Sequence, residues 1–314
     1  MQEMSKSSHL SAPLVAGVVA LVLVAVKLGI GFYAGAMVLI ASAVDSGLDF
    51  LVSLFNAYAV RGAEKPRDAR YNYGRGKLEG LAAFLEGMVI AGSALFIVLT
   101  AIRRLVENQP LKHANAAIFV MIFSALLTGG LVIYLRSVVK KTGNLVIRAD
   151  SLHYQVDLWT NMGILLALFV IERTQWYWLD GAISIVIGLM ILKASVPLIR
   201  EGGEILLDRA LEESQLAKIE EIITNTSTRI TSHHQLKTRR VGQTNFVEIH
   251  LVFDREISLY EAHKISDKVE QGIQDLDPER AWEINCHLDP IDDSSKDHRR
   301  EWENQELRIS KSEK

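Results

Sequence analysis

Residues 37–60 read MVLIASAVDSGLDFLVSLFNAYAV, a run that is apolar enough to cross a bilayer and yet contains two carboxylates, Asp45 and Asp49. The two residues are four positions apart, so a helix places them on one face. An ionisable group in hydrocarbon costs at least about 2.5–3.5 kcal/mol, which calls for a compensating partner. The obvious partner for two carboxylates is a cation.

A second run repeats this arrangement. Residues 145–171 are mostly apolar and contain His153 and Asp157, again four positions apart. The same energetic argument applies to this pair, because neither group would persist in lipid without a partner. The sequence therefore predicts two helices that each present a pair of potential metal ligands on one face.

The length of the apolar runs predicts a membrane protein. The chain has 314 residues, of which 49% are hydrophobic, and a spanning helix needs about 20 predominantly apolar residues. We predict six transmembrane helices, from residues 13–34, 37–60, 80–102, 114–136, 145–171 and 178–199. The first run lacks a small-residue cleavage site, so we interpret it as a retained helix that follows a cytosolic segment, residues 1–12. Lys27 is expected to snorkel from this helix to the membrane surface.

The basic residues of the loops predict the orientation of the chain. Ten Lys and Arg residues lie in the connections between the second and third runs and between the fourth and fifth, or at the ends of the runs beside them. They are Arg61, Lys65, Arg67, Arg70, Arg75, Lys77, Arg136, Lys140, Lys141 and Arg148. The opposite loops contain only Arg103, Arg104, Lys112 and Arg173. Because cytoplasmic loops are enriched in Lys and Arg, we predict that both termini are cytoplasmic.

The composition changes near residue 207. Residues 207–314 contain 16 Lys and Arg against 23 Asp and Glu, whereas residues 1–206 contain 18 against 14. Residues 213–226 and 259–276 have helical spacing, and residues 235–241, 245–253 and 281–288 alternate like strands. We therefore predict a transmembrane domain at 13–206 and a ferredoxin-like αββαβ domain at 207–290. The charged tail, residues 291–314, is predicted to be disordered or a solvated helix.

The predicted soluble domain is rich in histidine. It contains five of the nine histidines of the chain, namely His233, His234, His250, His263 and His287. On a strand, His287 and Asp289 point the same way, which suits two ligands of one metal. The competing interpretation is a set of surface or core histidines. The single cysteine, Cys286, has two interpretations. The favoured one is an ordinary half-buried strand residue, and the alternative is a metal ligand beside His287.

Three motifs bear a family resemblance. They are Asp45-Ser-Gly-Leu-Asp49, Tyr73-Gly-Arg-Gly-Lys77-Leu-Glu79 and Ala149-Asp-Ser-Leu-His153-Tyr-Gln-Val-Asp157. In this context they resemble the cation diffusion facilitators, and more closely the bacterial branch that exports ferrous iron and zinc. The resemblance covers roughly residues 10–290 and includes the expected number of spans and the C-terminal domain.

The resemblance implies a homodimeric, proton-coupled exporter of divalent metal in the bacterial inner membrane, with no nucleic-acid partner. An intramembrane hydrolase could use the same Asp and His types, but the spans contain neither His-Glu-x-x-His nor Gly-x-Gly-Asp, so we do not expect an enzyme. The transport site would consist of four residues, Asp45, Asp49, His153 and Asp157. The chemistry of these residues agrees, because two facing i,i+4 pairs supply four N and O donors to one ion. Zinc and ferrous iron are the leading cargoes, followed by cadmium and cobalt. The alternatives are helix–helix hydrogen bonds at this position, or a transport-silent relative that acts as a metal sensor or assembly scaffold.

The resemblance also implies a cytosolic binuclear zinc site. Asp289 would bridge two metals, with His234 and His250 on one metal and His263 and His287 on the other. His233 would be a surface neighbour. In relatives, residues at the positions of Lys77 and Asp208 form a salt bridge between protomers, although Lys77 could equally serve only as a positive-inside anchor.

One loop departs from the family pattern. The branch often has a further site made by an Asp and two His in the loop after the second span, and this chain has Asp68, Tyr71 and Arg75 at those positions. A guanidinium cannot lose its proton and a phenol is a rare ligand, so we predict that this site is absent. Glu86 in the third run has no obvious partner, and it could serve on a helix face, at the dimer interface or as a proton relay.

Overall fold

Long helices make up the first part of the chain. The computed structural model describes residues 2–34, 37–107, 115–174 and 178–292. The chain divides after Leu206 into two units. In its described residues the first unit has six long helices: α1 (Gln2–Ala34), α2 (Met37–Ala63), α3 (Lys77–Glu107), α4 (Asn115–Thr142), α5 (Leu145–Thr174) and α6 (Trp178–Leu206). The six apolar runs are thus helical, and α1 continues back through the expected N-terminal segment as far as Gln2.

Four segments of these helices are long and apolar enough to span a membrane, among the residues described. They are Ser11–Ile30, Lys77–Arg103, Phe119–Thr142 and Gly181–Leu206. Helices α2 and α5 are of similar length but are not among these four segments, and the search covered only the described residues. The structure therefore supports a membrane-embedded helical domain with four candidate spans.

The helices of the first unit pack as close pairs, with α3 along α6, α1 along α2 and α4 along α5. Glycines bring the backbones of α3 and α6 together. A Cβ atom added at Gly202 would lie 2.7 Å from the carbonyl oxygen of Gly80 and 2.7 Å from the amide nitrogen of Phe84. Small residues allow this approach, since helices in lipid associate chiefly through van der Waals packing and interhelical hydrogen bonds.

The second unit is a small α/β domain. Its elements are α7 (Glu213–Thr226), β1 (Ile230–Val241), β2 (Thr244–Phe253), α8 (Leu259–Gln274) and β3 (Ala281–Asp289). The sheet has the order β1-β2-β3, with β1 antiparallel and β3 parallel to the central strand. Apolar residues of α7, α8 and β2 form its core, including Ile219, Ile223, Val269, Ile273, Ile249 and Leu251.

The order αββαβ is the one expected from the sequence, and the sheet is small and mixed. The ferredoxin-like class stays a prediction. Strand β1 begins at Ile230, five residues before the predicted start, so it includes both His233 and His234. Most of the predicted tail, from residue 293 onward, lies outside the described residues, as does Lys112.

Candidate metal sites

Two helices bring carboxylates to one imidazole in the first unit. The Nε2 atom of His153 lies 2.9 Å from Asp49 Oδ1 and 3.9 Å from Asp157 Oδ2. Within the described part of the chain, these residues form one of two groups in which three potential metal ligands converge. Three of the four predicted transport-site residues therefore lie together, on α2 and α5. One imidazole and two carboxylates are donors of the kind that zinc and neighbouring divalent metals accept.

The fourth predicted residue, Asp45, is not part of that group. It lies one helical turn before Asp49 on α2, and its side chain is exposed in the single chain. A lysine contacts the same part of α2. Lys27 on α1 donates from Nζ to Ser46 Oγ at 2.7 Å and to the carbonyl of Ser42 at 3.3 Å. The ammonium of Lys27 therefore has two acceptors on the neighbouring helix, and its position at the membrane surface stays a prediction.

A second polar cluster lies on α2, α3 and α5. It consists of Asn56, Glu86 and Asp150, all of which are buried. The Nδ2 atom of Asn56 donates to Glu86 Oε2 at 2.9 Å and to Asp150 Oδ1 at 3.4 Å. Of these three residues, the sequence pointed only to Glu86. The signal for the other two was helical spacing, since Asn56 follows Asp49 by seven residues and Asp150 precedes His153 by three.

The second group of converging ligands lies on the sheet. The register pairs His234 of β1 with His250 of β2, and His250 with His287 of β3. The three imidazoles therefore form a row across the strands, with ring centroids 4.9 Å and 4.6 Å apart. The carboxylate of Asp289 lies against this row. Its Oδ2 is 2.7 Å from His250 Nδ1 and 3.4 Å from His234 Nε2, and its Oδ1 is 3.1 Å from His287 Nε2.

Three of these residues, His234, His250 and Asp289, form the converging group, and His287 contacts the other oxygen of the same carboxylate. Imidazole nitrogens and carboxylate oxygens are the usual zinc donors apart from thiolate. Two histidines face one oxygen of Asp289 and a third faces the other, as a bridging carboxylate requires.

The backbone of β1 is irregular just after His234. Gln235 has φ 52°, and the register with β2 shifts between His234 and Lys237. This left-handed conformation costs about 1–2 kcal/mol for a residue other than glycine.

His263 is not part of this cluster within the single chain. It lies on α8, where its Nε2 is 3.7 Å from Asp267 Oδ1, and more than half of each side chain is exposed. Cys286 packs against the core of the second unit. Burial and the adjacent Glu270 carboxylate raise the pKa of its thiol to about 12. Because metals bind the thiolate, these observations favour the interpretation of Cys286 as an ordinary strand residue.

The loop between α2 and α3 uses Asp68 for its own structure. The Asp68 carboxylate accepts hydrogen bonds from the backbone amides of Arg70 at 2.9 Å and Tyr71 at 3.0 Å, and the guanidinium of Arg75 donates to its other oxygen. The Arg75 guanidinium also lies 4.2 Å from the centre of the Tyr71 ring. These hydrogen bonds, led by that of Arg75, lower the pKa of Asp68. The residues that replace the family histidines therefore engage the one remaining acid.

Replacing Asp68 with alanine should leave both the number of bound metals and the transport rate unchanged, because its carboxylate already serves the loop. Metal content per protomer, measured by elemental analysis, and flux in vesicles test this. The ion pair between Asp68 and Arg75 should be fully formed at pH values above the ordinary pKa of aspartate. It should be lost as the pH falls through the lowered pKa of Asp68. Loss of one ion per protomer in Asp68→Ala would contradict our interpretation of the loop.

Lys77 and Asp208 have partners within their own units. Lys77 Nζ donates to the carbonyl of Leu206 at 3.4 Å, and Asp208 forms an ion pair with Arg239 at 3.3 Å. The salt bridge between protomers that the resemblance implies therefore stays a prediction.

Comparison with known proteins identifies the class of this chain. Residues 14–207 match the family model of the cation efflux transmembrane domain, and residues 211–291 match that of the cation efflux protein cytoplasmic domain. The chain thus belongs to the cation efflux family, also called the cation diffusion facilitators, and is a multi-pass membrane transporter rather than an enzyme. The resemblance found in the sequence motifs is confirmed.

Individual relatives lie in the branch that the motifs indicated. The chain is 37% identical over 279 residues to the cation-efflux pump FieF of Klebsiella pneumoniae, and 36% identical to that of Salmonella arizonae. Each match covers 89% of this chain and 92% of the relative. A solved cytosolic domain of a cation diffusion facilitator family protein is 20% identical, covering 26% of this chain and 96% of that domain with a TM-score of 0.22.

Proposed function

We propose that this protein is a homodimeric antiporter of the inner membrane that exports a divalent transition metal in exchange for protons. Zinc or ferrous iron is the leading cargo, with cadmium and cobalt as further substrates. The observation that carries this proposal is the position of His153 Nε2 between the carboxylates of Asp49 and Asp157. Membership of the cation efflux family supports it, as does the name of the FieF relatives.

The transport site consists of Asp45, Asp49, His153 and Asp157. Asp45 supplies the fourth donor, since it lies on the same face of α2 as Asp49, one turn away. Metal binds only to the deprotonated forms of these groups, so each proton that binds displaces metal. A gradient of protons can therefore drive the release of metal on the acidic side of the membrane.

The membrane topology follows from the same proposal. Helices α2 and α5 span the bilayer together with the four apolar segments, which makes six spans. Asp49, His153 and Asp157 are tolerated there because they converge on one another and bind the transported ion. The basic loop between α2 and α3 and the Lys140–Lys141 end of α4 lie in the cytoplasm, together with both termini.

The cytosolic cluster holds zinc in a structural or regulatory role. His234 and His250 bind one ion and His287 binds the other, with Asp289 bridging the two. His263 completes the second set. The ions neutralise the acidic charge of the soluble domains and favour their association in the homodimer, which is the assembly typical of this family.

Flux into liposomes tests the function. The purified protein is reconstituted into vesicles with an acidic lumen and given external zinc, and a zinc-sensitive dye reports uptake. We expect zinc to accumulate while protons leave, and we expect uptake to stop when an ionophore removes the pH gradient. Flux that ignores the gradient would contradict antiport. Binding without flux would instead favour the sensor or scaffold alternative.

Replacing Asp289 with alanine should weaken both cytosolic zinc ions together, because one carboxylate serves both. The fragment 207–292, which contains the core of the second unit, should bind two zinc ions. At zinc concentrations about 100-fold above the dissociation constant, linkage predicts about 2.7 kcal/mol of added stability per site. Asp289→Ala should lose most of this gain, as measured by calorimetric titration and thermal unfolding.

His233 provides the matched control for this prediction. It lies beside His234 on β1 and is not part of the converging group of described ligands. His233→Ala should therefore retain both zinc ions. If Asp289→Ala lost only one ion and kept the other at its original affinity, the assignment of Asp289 as a bridge would be wrong.

A further inference from the structure

The cluster of Asn56, Glu86 and Asp150 is unusual for its degree of burial. The exposed fraction of Asn56 and of Asp150 is 0%, and that of Glu86 is 4%. The three residues come from different helices, α2, α3 and α5. One amide nitrogen, Asn56 Nδ2, donates to both carboxylates. Two acids therefore meet inside the first unit around a single neutral donor.

Three oxygen atoms of this cluster lack a hydrogen-bond partner among the residues that the structure describes. They are Asn56 Oδ1, Glu86 Oε1 and Asp150 Oδ2. An unsatisfied buried polar atom costs about 1–3 kcal/mol, and more when it is charged. All three atoms are acceptors. Satisfying them takes either a proton on each carboxyl group or a cation bound among the three oxygens.

The cluster lies next to the transport site along the helices. Asp150 precedes His153 by three residues on α5, and Asn56 follows Asp49 by seven on α2. At 1.5 Å per residue, these separations are roughly 5–10 Å along the helix axes. The cluster lies on the side of the transport site that faces the α2–α3 and α4–α5 loops. An ion moving between those loops and His153 would pass it.

We infer that Asn56, Glu86 and Asp150 form a second intramembrane site for a divalent cation, held by oxygen atoms alone. This site goes beyond the proposed function. The direction in which an ion passes the site rests on the proposed function, whereas the chemistry of the site does not. Carboxylate and carbonyl oxygens suit harder ions such as Mn²⁺, while imidazole in the transport site suits zinc and its neighbours. The two sites therefore differ in the ions that they favour.

Counting bound Mn²⁺ tests this inference. The full-length protein is titrated with Mn²⁺ in detergent, and electron paramagnetic resonance measures the free ion. Glu86→Gln keeps the shape of the side chain and an acceptor for Asn56 but removes the charge. We expect Glu86→Gln to bind one ion fewer per protomer than the wild type. We expect Asp49→Ala, which alters the transport site that prefers zinc, to retain the Mn²⁺ ion that Glu86→Gln loses, whatever the cytosolic sites contribute.

Glu79 provides the matched control. It is a second buried glutamate of α3, and its Oε1 accepts a hydrogen bond from Asn144 Nδ2 at 3.0 Å. Glu79→Gln should bind as many ions as the wild type. Asp150→Asn should repeat the loss seen in Glu86→Gln, which guards against a folding defect in one variant.

Each outcome separates the two proposals. If folded Glu86→Gln and Asp150→Asn bind as many ions as the wild type, the cluster is a pair of carboxyl groups that shares a proton, and the inference is overturned. An equal loss in Glu79→Gln would overturn it as well, because the effect would then reflect charge alone. The proposed transport site is tested separately, by the loss of zinc-driven proton exchange in Asp49→Ala, so either proposal can fail while the other stands.

Discussion

Asp157→Ala should abolish metal-driven proton exchange while leaving the protein folded. Asp157 lies one helical turn from His153, and its carboxylate faces the same imidazole as Asp49. Replacing a residue that hydrogen-bonds to a metal ligand typically lowers metal affinity or activity about 10–100-fold. Replacing a ligand itself should therefore lower activity at least about 100-fold. Exchange is measured with a pH-sensitive dye in reconstituted vesicles. Asp49→Ala should have the same effect.

Glu201 offers the matched control for this experiment. It is an acidic residue of α6 whose partly exposed carboxylate lies 2.6 Å from the Arg148 guanidinium. Exposed ion pairs contribute only about 0–1 kcal/mol, so Glu201→Gln should transport at the wild-type rate. Size-exclusion profiles and thermal midpoints show whether each variant is folded. Wild-type exchange in well-folded Asp157→Ala would show that the transport site has been assigned wrongly.

The helices of the first unit could be predicted from hydropathy because each contains a long apolar run. The residues at which these helices end could not be predicted from hydropathy. The fourth run ends at residue 136, yet α4 continues to Thr142 through Lys140 and Lys141. A helix can continue past the hydrocarbon into a polar region, where hydropathy no longer reports it. Strand β1 was likewise predicted too short, because adjacent histidines obscure the alternation of apolar and polar residues.

The i,i+4 spacing predicted three residues that do converge, Asp49, His153 and Asp157. Spacing identifies the face of a helix but not the partner that a distant helix brings to it. Glu86 thus appeared to have no partner, whereas its hydrogen bond comes from Asn56, thirty residues earlier on another helix. The sequence also could not show the row of three histidines, which depends on the register of β1 and β3 against β2.

The packing of α3 against α6 was also beyond the sequence, and it leads to the second large expected effect. Gly202→Ala should destabilise the membrane unit severely. The added Cβ would lie 2.7 Å from two backbone atoms, the Gly80 oxygen and the Phe84 nitrogen, and 2.9 Å from Phe84 Cβ. Backbone atoms cannot rotate away as a flexible side chain can, so the two helices must move apart.

Overpacking of this kind costs about 1–3 kcal/mol, and the cost here should fall at the upper end because both nearest atoms are backbone. A loss of that size should lower the thermal midpoint of the detergent-solubilised protein by about 5–10 °C. Tryptophan fluorescence during heating measures the midpoint.

Gly92 is the control that separates this clash from the general effect of adding a methyl group to a helix. It is also on α3, but a Cβ atom placed there would meet nothing within 4 Å. Alanine is favoured over glycine inside a helix by about 0.5–1 kcal/mol, so Gly92→Ala should be as stable as the wild type or slightly more stable. If Gly202→Ala and Gly92→Ala melted at the same temperature, close contact between the α3 and α6 backbones could not be what holds this pair of helices together.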